Sequence, residues 1–412
     1  MGDISRRRVV ATAAGAAAAA TTVVAAGCSS DGSAGSGRTD GSSSDRRTGK
    51  QPDGRHRVRL IGDGSTSDTG PQPHQPAVDK LKPGEEPPQF VVFSWDGAGV
   101  ARTNYFERFR NLADAHGAKM TFFLSGIYML PERKKLLYRP PLWPAGASAI
   151  GYLTDEHIHA TIKEVTAAWS AGHEIGTHFN GHFCGPTGVK RWTPAMWDSE
   201  IAQAKKFVKT WKTNTGFTDL PAFPFDYEKE LMGGRTPCLE GRDGLLPTAA
   251  KLGWRYDASS PGGLQMWPGK KLGLWDFPLQ SIPFPGHSFQ VLSMDYNLMA
   301  NQSAGNPKGN PAMRATWKKE AHASYVAGFE RALTTNRAPF FIGNHFEDWN
   351  GGIYMDAVEE AFLSIVGTPG VRLVTFKQLV HWLDAQDPAV LAKLGKLTPG
   401  QKPPGGWASY LA

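Results

Sequence analysis

The chain has 412 residues, a formal net charge of +7 at pH 7 and an isoelectric point of about 9.2. This length suits one large domain with appendages, or two ordinary domains. The positive charge alone would suit a polyanionic partner. Basic and acidic residues are interleaved, however, and no basic helix with interspersed aromatic residues occurs. We therefore expect no nucleic acid partner.

Residues 1–28 have the features of an export signal, which we exclude from the fold. Ser5-Arg6-Arg7-Arg8-Val9-Val10 resembles a twin-arginine signal, and an Ala-rich stretch follows it. Val24-Ala25-Ala26-Gly27-Cys28 resembles a bacterial lipobox, in which Cys28 would carry a lipid. The alternative is a plain secretory signal with an incidental cysteine. The protein is therefore expected outside the cytoplasm, lipid-anchored to the outer face of the membrane or secreted.

Two further segments are predicted to lie outside the main domain. Residues 29–85 consist largely of Gly, Ser, Asp, Pro and Arg, with few apolar residues and no periodicity. Such a segment cannot bury enough apolar surface to offset its ordering entropy, so we predict a disordered tether. Residues 388–412 are rich in Pro and Gly and are predicted to be a loosely packed tail. The main domain would then span residues 86–387.

Strand and helix patterns alternate through that domain. The unbroken apolar run Gln89–Ser94 indicates a strand covered on both faces. Phe106, Phe109 and Ala113 share one face of the following helix. Further strands are predicted at 120–124, 174–176, 254–258, 274–279, 339–343 and 371–374, and further helices around 158–169, 194–211, 245–252, 317–333, 355–365 and 379–382. This alternation predicts an α/β fold, a distorted (β/α) barrel with about seven parallel strands.

The strongest local motif lies in residues 172–182, which read GHEIGTHFNGH. His178 and His182 directly follow a predicted buried strand and are four residues apart. Two neutral imidazoles in this position can bind one divalent metal ion. The pair alone is only moderately specific, since such histidines are more often structural. His173 precedes the strand and is interpreted as a packing or capping residue.

Three other short motifs place reactive side chains near strand ends or turns. Asp96 ends the first predicted strand in the sequence SWDG, and His345 ends a late strand in the sequence GNH. Arg235 stands before a proline turn in the sequence RTPC and could orient a carboxylate. Barrel folds assemble their active sites at the carboxyl ends of strands. Taken singly, each residue also has an ordinary structural explanation.

Taken together and in order, these motifs resemble the polysaccharide deacetylase family (the NodB homology domain), particularly its chitin deacetylase-like branch. The resemblance covers about residues 87–385. It rests on PQFVVFSWD at 88–96, AKMTFFL at 118–124, the histidine motif at 172–182, RTPC at 235–238, GNH at 343–345 and VRLVT with a later Trp at 371–382. It implies metal-dependent hydrolysis of N-acetyl groups from a cell-wall or chitin-like polysaccharide.

The resemblance also implies a role for each motif. His178 and His182 would hold a divalent metal ion, commonly zinc. Asp96 would be the general base, and Arg235 would hold and tune it. His345 would be the general acid that protonates the leaving amine. Amide cleavage needs these functions, because it requires an activated water, a polarised carbonyl and a protonated leaving nitrogen.

Further expectations concern the cysteines and one tryptophan. By the same resemblance, the backbone N–H of Cys238 would help to stabilise the oxyanion. Trp275 would wall the acetyl or sugar pocket, although a role as core filler explains it equally well. Cys184 and Cys238 are the two cysteines that remain after Cys28, and an even number in an oxidising compartment suggests a disulfide between them. We expect a monomer.

One departure from the family pattern concerns the metal site. The family carries two consecutive aspartates, a base and then a metal ligand, whereas this chain has Asp96 followed by Gly97. A register shifted by one would make Asp96 the ligand, but one carboxylate is missing in either register. Asp295, Glu347 and Asp348 are remote acids that could complete the site. Otherwise the domain would be a catalytically impaired glycan-binding surface lipoprotein.

Overall fold

In the computed structural model, the described residues are 58–412. Their strands are β1 (Arg59–Ile61), β2 (Thr66–Asp68), β3 (Gln89–Asp96), β4 (Thr121–Leu124), β5 (Glu174–Thr177), β6 (Tyr256–Asp257), β7 (Lys270–Lys271), β8 (Leu274–Asp276), β9 (Ser281–Pro283), β10 (Gln290–Leu292), β11 (Phe340–His345) and β12 (Val371–Leu373). Their α-helices are α1 (Tyr105–Ala115), α2 (Asp155–Ser170), α3 (Pro194–Lys209), α4 (Trp211–Thr215), α5 (Tyr227–Glu230), α6 (Arg242–Lys251), α7 (Asp295–Gln302), α8 (Arg314–Leu333), α9 (Trp349–Ile365), α10 (Phe376–Ala385), α11 (Pro388–Leu394) and α12 (Gly406–Tyr410).

The largest sheet is parallel and has β3 at its centre. Its main path runs β11-β3-β4-β5, and β12 pairs with the first residues of β3. Every residue of β3 is buried, as expected for a parallel strand covered on both faces. In the register of this sheet, Asp96 of β3 lies opposite His345 of β11. The sheet therefore brings two of the expected site residues together at the carboxyl ends of neighbouring strands.

The expectation of a barrel with about seven parallel strands is met only in part. The fold is mixed α/β with a parallel sheet, but within residues 58–412 no continuous ladder closes into a barrel. Single bridges join Thr177 to Gly234 and Met294 to Gly343. Strands β6 to β10 have two or three residues each, and the pairs β7–β8 and β9–β10 are antiparallel. Proline in this stretch removes ladder donors, which is one reason for such short strands.

Two hydrophobic clusters lie on opposite faces of β3, because successive side chains of a strand point to opposite sides. Val91, Phe93 and Trp95 belong to the cluster that packs against the surrounding helices. Phe90 and Val92 belong to the second, which collects residues of the short strands and of α10. Asp96 has the parity of Val92, so its carboxylate lies on the side of the second cluster.

The tether prediction for residues 29–85 is wrong from residue 58 onward. β1 and β2 form an antiparallel hairpin, and Ser65, Thr66 and Ser67 are buried. The N–H and the hydroxyl of Ser67 both donate to the carbonyl of Phe223, each at 2.8 Å. Hydrogen bonds rather than apolar side chains order this segment, so composition does not reveal it. Residues 29–57, like the export signal 1–28 with Cys28, lie outside the described residues.

The prediction of a loosely packed tail at residues 388–412 is also wrong. The segment contains α11 and α12, and Leu394, Leu397 and Leu411 are almost fully buried. The N–H of Gly84 donates to the carbonyl of Leu411 at 3.1 Å. Val390, Leu391, Trp407 and Tyr410 also pack against the second hydrophobic cluster, so apolar side chains dock this Pro/Gly-rich segment on the domain. Across residues 58–412, none of the helices combines the length and the apolar character needed to cross a bilayer.

Candidate active site

A buried ion pair forms one wall of the site. Asp96 is the last residue of β3, and the Arg235 side chain is fully buried behind it. Nη1 of Arg235 donates to Oδ1 of Asp96 at 2.8 Å and to Oγ of Ser94 at 3.0 Å. Nε of Arg235 donates to the carbonyl of Ala258 at 3.0 Å. These three hydrogen bonds fix the guanidinium, which in turn orients the carboxylate.

The Asp96 carboxylate is held in its ionised form. Burial alone would raise its pKa, but the positive charge of Arg235, followed by that of His345, lowers the pKa below its usual value. Among the described residues, only Oδ1 accepts a hydrogen bond. Oδ2 is therefore available to take a proton from a water or substrate group.

His178 follows β5 and has one ring nitrogen without a partner. Its Nδ1 donates to the carbonyl of Arg235 at 2.8 Å, since a carbonyl can only accept. Nε2 is buried and has no hydrogen-bond partner within residues 58–412. Burial, the first cause, lowers the pKa of His178, so the ring is neutral at pH 7 and Nε2 carries a lone pair. This tautomer, with Nδ1–H on a carbonyl, is the one that metal-binding histidines use.

His182 lies beside His178 on a strained loop. The two ring centroids are 5.0 Å apart. Burial lowers the pKa of His182 to about 3, and the neighbouring histidines add to the effect, so this ring is also neutral. His182 and Phe179 both have positive φ angles, 56° and 60°, which non-glycine residues rarely adopt. Such strain persists only where the surroundings hold the backbone in place.

A buried tyrosine and a buried glutamate hold this loop. The N–H of Gly181 donates to the hydroxyl of Tyr138 at 3.1 Å, and that hydroxyl donates to the Glu200 carboxyl at 2.9 Å. The Asn180 side-chain amide donates to the carbonyl of Glu200 at 3.0 Å. Burial raises the pKa of Glu200 to about 7. Tyr138 and Glu200 thus support the loop segment between His178 and His182.

A histidine–aspartate pair lies next to Asp96 in the sheet. His345 ends β11, and its Nδ1 lies 2.8 Å from Oδ1 of Asp295, the first residue of α7. Oδ2 of Asp295 accepts from the backbone N–H of His345 at 2.7 Å. Burial alone would lower the pKa of His345, but the charge and hydrogen bond of Asp295 raise it to about 9. His345 is therefore protonated at neutral pH and can donate from Nε2.

The space beside Gly97 contains hydroxyl groups and no carboxylate. A Cβ built on Gly97 would lie 3.7 Å from the hydroxyl oxygen of Tyr128 and 3.9 Å from Oγ of Ser125. Oγ of Ser125 is buried without a hydrogen-bond partner among the described residues. Gly97 has a φ of +62°. The missing ligand therefore leaves room for a larger side chain, and no neighbouring acid fills it.

Cys238 is exposed and has a left-handed backbone with φ of 54°. Within the described part of the chain its N–H has no hydrogen-bond acceptor. A disulfide joins Cys184 to Cys238. His182, Cys184 and Cys238 lie close enough together to suggest a metal cluster. Thiolate, however, is the sulfur form that binds metal, so this cluster cannot serve as a three-ligand site.

The remaining candidates lie elsewhere. Trp275 packs in the second hydrophobic cluster, donates to Asp384 at 3.0 Å and lies level with Tyr256 at the start of β6. It is thus at the opposite end of the strands from Asp96, which corrects the expectation that it walls the pocket. Trp275 lies in the short strand β8, whose side chains pack into the core rather than into the site.

The remote acids do not replace the lost carboxylate. Asp295 is engaged by His345, while Glu347 and Asp348 are exposed and form no hydrogen bond to His178 or His182. His173 accepts from the N–H of Met120 at 3.0 Å and lies 3.1 Å from Asp114, which is a packing role. Among the described residues, the site thus has two neutral histidines, the carboxylate of Asp96 paired with Arg235, and the carboxylate of Asp295 paired with the protonated His345.

Sequence reasoning missed several contributing residues. Tyr138 and Glu200 belong to no motif, Ser94 lies in the SWDG motif without a predicted role, and Asp295 is predicted only as an acid that could complete the metal site. One signal for Glu200 was available, because it lies on the inward face of α3 with Trp197, Ile201 and Ala204, where a carboxylate is unexpected. Its partner Tyr138 is 62 residues away in sequence. Only the fold reveals that pairing.

No protein-family model and no curated protein matches this chain. The similar solved structures are CE4 polysaccharide and chitin deacetylases. A Mycobacterium smegmatis protein described as a polysaccharide deacetylase has 13% identity and a TM-score of 0.44, over 75% of this chain and 96% of that one. The chitin deacetylase of the fungal pathogen Colletotrichum lindemuthianum has 12% identity and a TM-score of 0.37, over 75% and 95%.

A CE4 family pseudoenzyme from Bacillus anthracis is similar to the same extent, with 9% identity and a TM-score of 0.37, over 74% of this chain and 69% of that one. All of these TM-scores are below 0.5. The assignment of the site therefore depends on its own geometry.

Proposed function

We propose that this chain is a metal-assisted N-deacetylase that acts on a cell-wall or chitin-like polysaccharide. The observation that carries the proposal is the unpartnered, buried Nε2 of His178, whose Nδ1–H is fixed on the Arg235 carbonyl. A buried lone pair without a donor costs free energy unless something outside the protein satisfies it. Asp96 and His345 lie level with each other on neighbouring strands, and the charges of both act on His178, so a base and an acid lie near this lone pair.

The donor set fits a divalent ion such as zinc. His178 and His182 would hold it through neutral imidazole nitrogens, and Asp96 would act as the base rather than as a third ligand. When bound, the ion would polarise the substrate carbonyl and lower the pKa of water. Two imidazoles without a second carboxylate should bind zinc less tightly than a complete set of three ligands.

The chain's own residues then supply the proton transfers. Asp96 is ionised and has Oδ2 available, so it would accept a proton from the attacking water, while Arg235 keeps the carboxylate in place. His345 is protonated and would donate from Nε2 to the leaving nitrogen. Water adds across the amide bond, the C–N bond breaks, and acetate and a free amine are released. Each proton has a named donor and acceptor.

Cys238 would contribute at the carbonyl oxygen. Its backbone N–H is without an acceptor in the described residues, and its left-handed φ turns the chain sharply after Pro237. A backbone donor of this kind can stabilise a developing oxyanion. The disulfide to Cys184 ties this turn to the residue that lies two positions after His182.

A second candidate function is glycan binding without hydrolysis. Gly97 favours it, because the carboxylate of the family pattern is absent and no neighbouring acid fills the space. In that case N-acetylated polysaccharide would bind while acetate release stays at background. The two functions can be distinguished by measuring acetate, which only the deacetylase would release.

The location of the protein is part of the proposal. We propose that the protein is exported and anchored to the outer face of the cytoplasmic membrane through a lipid on Cys28, as a monomer. Mass spectrometry of the N-terminal peptide from the membrane fraction would detect the lipid, and Cys28→Ser should move the protein to the soluble exported fraction. Recovery of unmodified Cys28 would contradict the lipid anchor.

The decisive experiment measures acetate release from N-acetylglucosamine oligomers, with zinc or cobalt added to chelator-treated protein. We expect release by the wild type and none by Asp96→Asn or His345→Ala. Circular dichroism and thermal unfolding of every variant control for folding. Oligomer binding without acetate release by folded wild type would reject the enzyme and retain the glycan-binding candidate.

A further inference from the structure

An exposed apolar segment lies beside the candidate site and plays no part in the proposed reaction. We call residues 132–146 the rim loop. Within it Leu136, Leu137, Leu142 and Trp143 are exposed by 67%, 52%, 55% and 40%. They are four of the 14 large hydrophobic residues that are exposed in the described part of the chain, and they fall within eight consecutive positions. Clustering of this kind is typical of an interaction surface rather than of an ordinary monomer surface.

The rim loop is held firmly and close to His182. The N–H of Gly146 donates to the carbonyl of Tyr138 at 2.8 Å, which closes the loop on itself. The Trp143 indole N–H donates to the carbonyl of Thr187 at 3.1 Å. The same indole stacks on Phe183, with 5.1 Å between centroids and 10° between planes. Phe183 directly follows His182, so the exposed residues stand at the edge of the candidate site.

Two properties of Leu142 are unfavourable for the stability of the isolated domain. Its φ is +65°, a left-handed conformation that glycine and asparagine adopt far more easily than leucine. Its side chain is also more than half exposed, so it gains little from burial. Neither property helps the isolated domain. A partner that buries this leucine would account for both.

The charge of the rim loop indicates the chemistry of that partner. Residues 132–146 contain Arg133, Lys134, Lys135 and Arg139 but only one acid, Glu132, so four cations minus one anion leave +3. Within residues 58–412 Arg133 is paired with Asp155 outside the loop and Lys135 with Glu132, whereas Lys134 and Arg139 form no ion pair. Leucine and tryptophan next to unneutralised cations match the interface of an anionic bilayer.

We propose that the rim loop binds the surface of a membrane that contains anionic lipids. Leu136, Leu137 and Leu142 would enter the interfacial region, and Trp143 would lie at the depth of the headgroups. Lys135 and Arg139 would contact the lipid phosphates. This role does not depend on the deacetylase activity, and it would hold the edge of the site at the membrane surface.

The composition of the loop favours lipid over glycan. Sugar hydroxyls donate as well as accept, so a glycan site combines a stacking ring with side chains that can accept, such as acids, amides and hydroxyl groups. Between residues 133 and 146 there is no acid, amide or aliphatic hydroxyl side chain, and the one tyrosine, Tyr138, is buried. Three leucines present no aromatic face to a sugar ring. Only Trp143 could serve a glycan, and the test below distinguishes that case.

The test uses the full chain with Cys28→Ser, so that no lipid anchor can contribute. Its co-sedimentation is measured with vesicles of phosphatidylcholine alone and of phosphatidylcholine with phosphatidylglycerol. We expect partition onto the anionic vesicles that weakens by about tenfold or more in Leu136→Glu/Leu137→Glu and falls with added salt. Leu264→Glu, at a similarly exposed position outside the loop, is the matched control and should partition like the parent.

A second variant separates binding from folding. Asparagine adopts positive φ more readily than leucine, so Leu142→Asn should unfold at the same or a higher temperature and yet bind anionic vesicles less tightly. Equal vesicle partition by the parent and the Leu136→Glu/Leu137→Glu variant would overturn the proposal. So would a Trp143→Ala variant that loses oligosaccharide binding while its vesicle partition is unchanged. Acetate release is not a readout of this experiment, so the outcome is independent of the proposed function.

Discussion

The candidate site has two halves, the Asp96 and His345 pairs and the histidine loop, and their buried polar groups have hydrogen-bond partners to different degrees. In one half, Asp96 is bonded to Arg235 and His345 to Asp295, although Nη2 of Arg235 is buried without a partner among the described residues. In the other half, Nε2 of His178, Oγ of Ser125 and Oδ1 of Asn180 are buried and have no partner in the described residues. The difference indicates that the proton-transfer groups are preorganised by the protein alone. The histidine half needs something from outside to be complete.

The largest expected effect comes from breaking the paired half. Arg235→Met would leave the buried carboxylate of Asp96 without its counter-charge, and we expect about 3–5 kcal/mol of lost stability. Urea denaturation measures it. Adding Asp96→Asn should recover much of the loss, because no unpaired charge then stays buried. If Arg235→Met alone were as stable as the wild type, the Asp96–Arg235 ion pair would not be essential to the stability of this half.

The second prediction concerns Asp295. Asp295→Asn removes the charge that raises the pKa of His345, and we expect acetate release to fall by about 10²- to 10⁴-fold. Because the folded pKa of about 9 is above the usual 6.5, the pair stabilises the fold below pH 6.5 and that contribution is lost as the pH rises through 9. The alkaline limb of activity should move to lower pH. Asp348→Asn, an exposed acid nearby, is the control and should leave the pH profile in place.

The third prediction concerns the support of the histidine loop. Burial raises the pKa of Glu200 from 4.5 to about 7, so the folded state holds a proton that the unfolded state releases. Wild-type stability should therefore fall by about 3 kcal/mol as the pH rises from 4.5 through 7. Glu200→Gln should flatten this dependence, measured by denaturation at several pH values. Glu228→Gln, at an exposed carboxylate of α5, should leave it unchanged. An unchanged slope in Glu200→Gln would contradict the assignment.

The smallest expected effect comes from completing the histidine half. Gly97→Asp would place a carboxylate where the nearest atoms are 3.7 and 3.9 Å from the new Cβ, and Asp tolerates positive φ better than most residues. We expect zinc affinity to rise by about tenfold or more, measured by competition with a chelating dye. Gly97→Asn has the same shape without the charge and should gain much less. Equal gains by both variants would argue against a direct ligand.

Much of the fold could be predicted from local pattern. The run before Asp96 indicates a buried strand, and β3 spans Gln89–Asp96 with every residue buried. Thr193 caps α3 and Pro194 begins it, as their types suggest. The short strands β6 to β10 were harder, because two or three residues leave no measurable period. Composition does not reveal the order of residues 58–85, which depends on hydrogen bonds, or of residues 388–412, which depends on a few buried leucines.

The amino-acid sequence determined which reactive side chains exist and near which strand ends they stand, because motif order and hydrophobic period are local properties. It also determined that the position after Asp96 carries no ligand atom. Only the tertiary structure decided that Arg235 reaches Asp96 across 139 residues, that Asp295 holds His345, and that Trp275 lies at the far end of the strands. These pairings depend on strand register and on burial. Burial strengthens the interactions between charges, and neither register nor burial can be read from a short stretch of sequence.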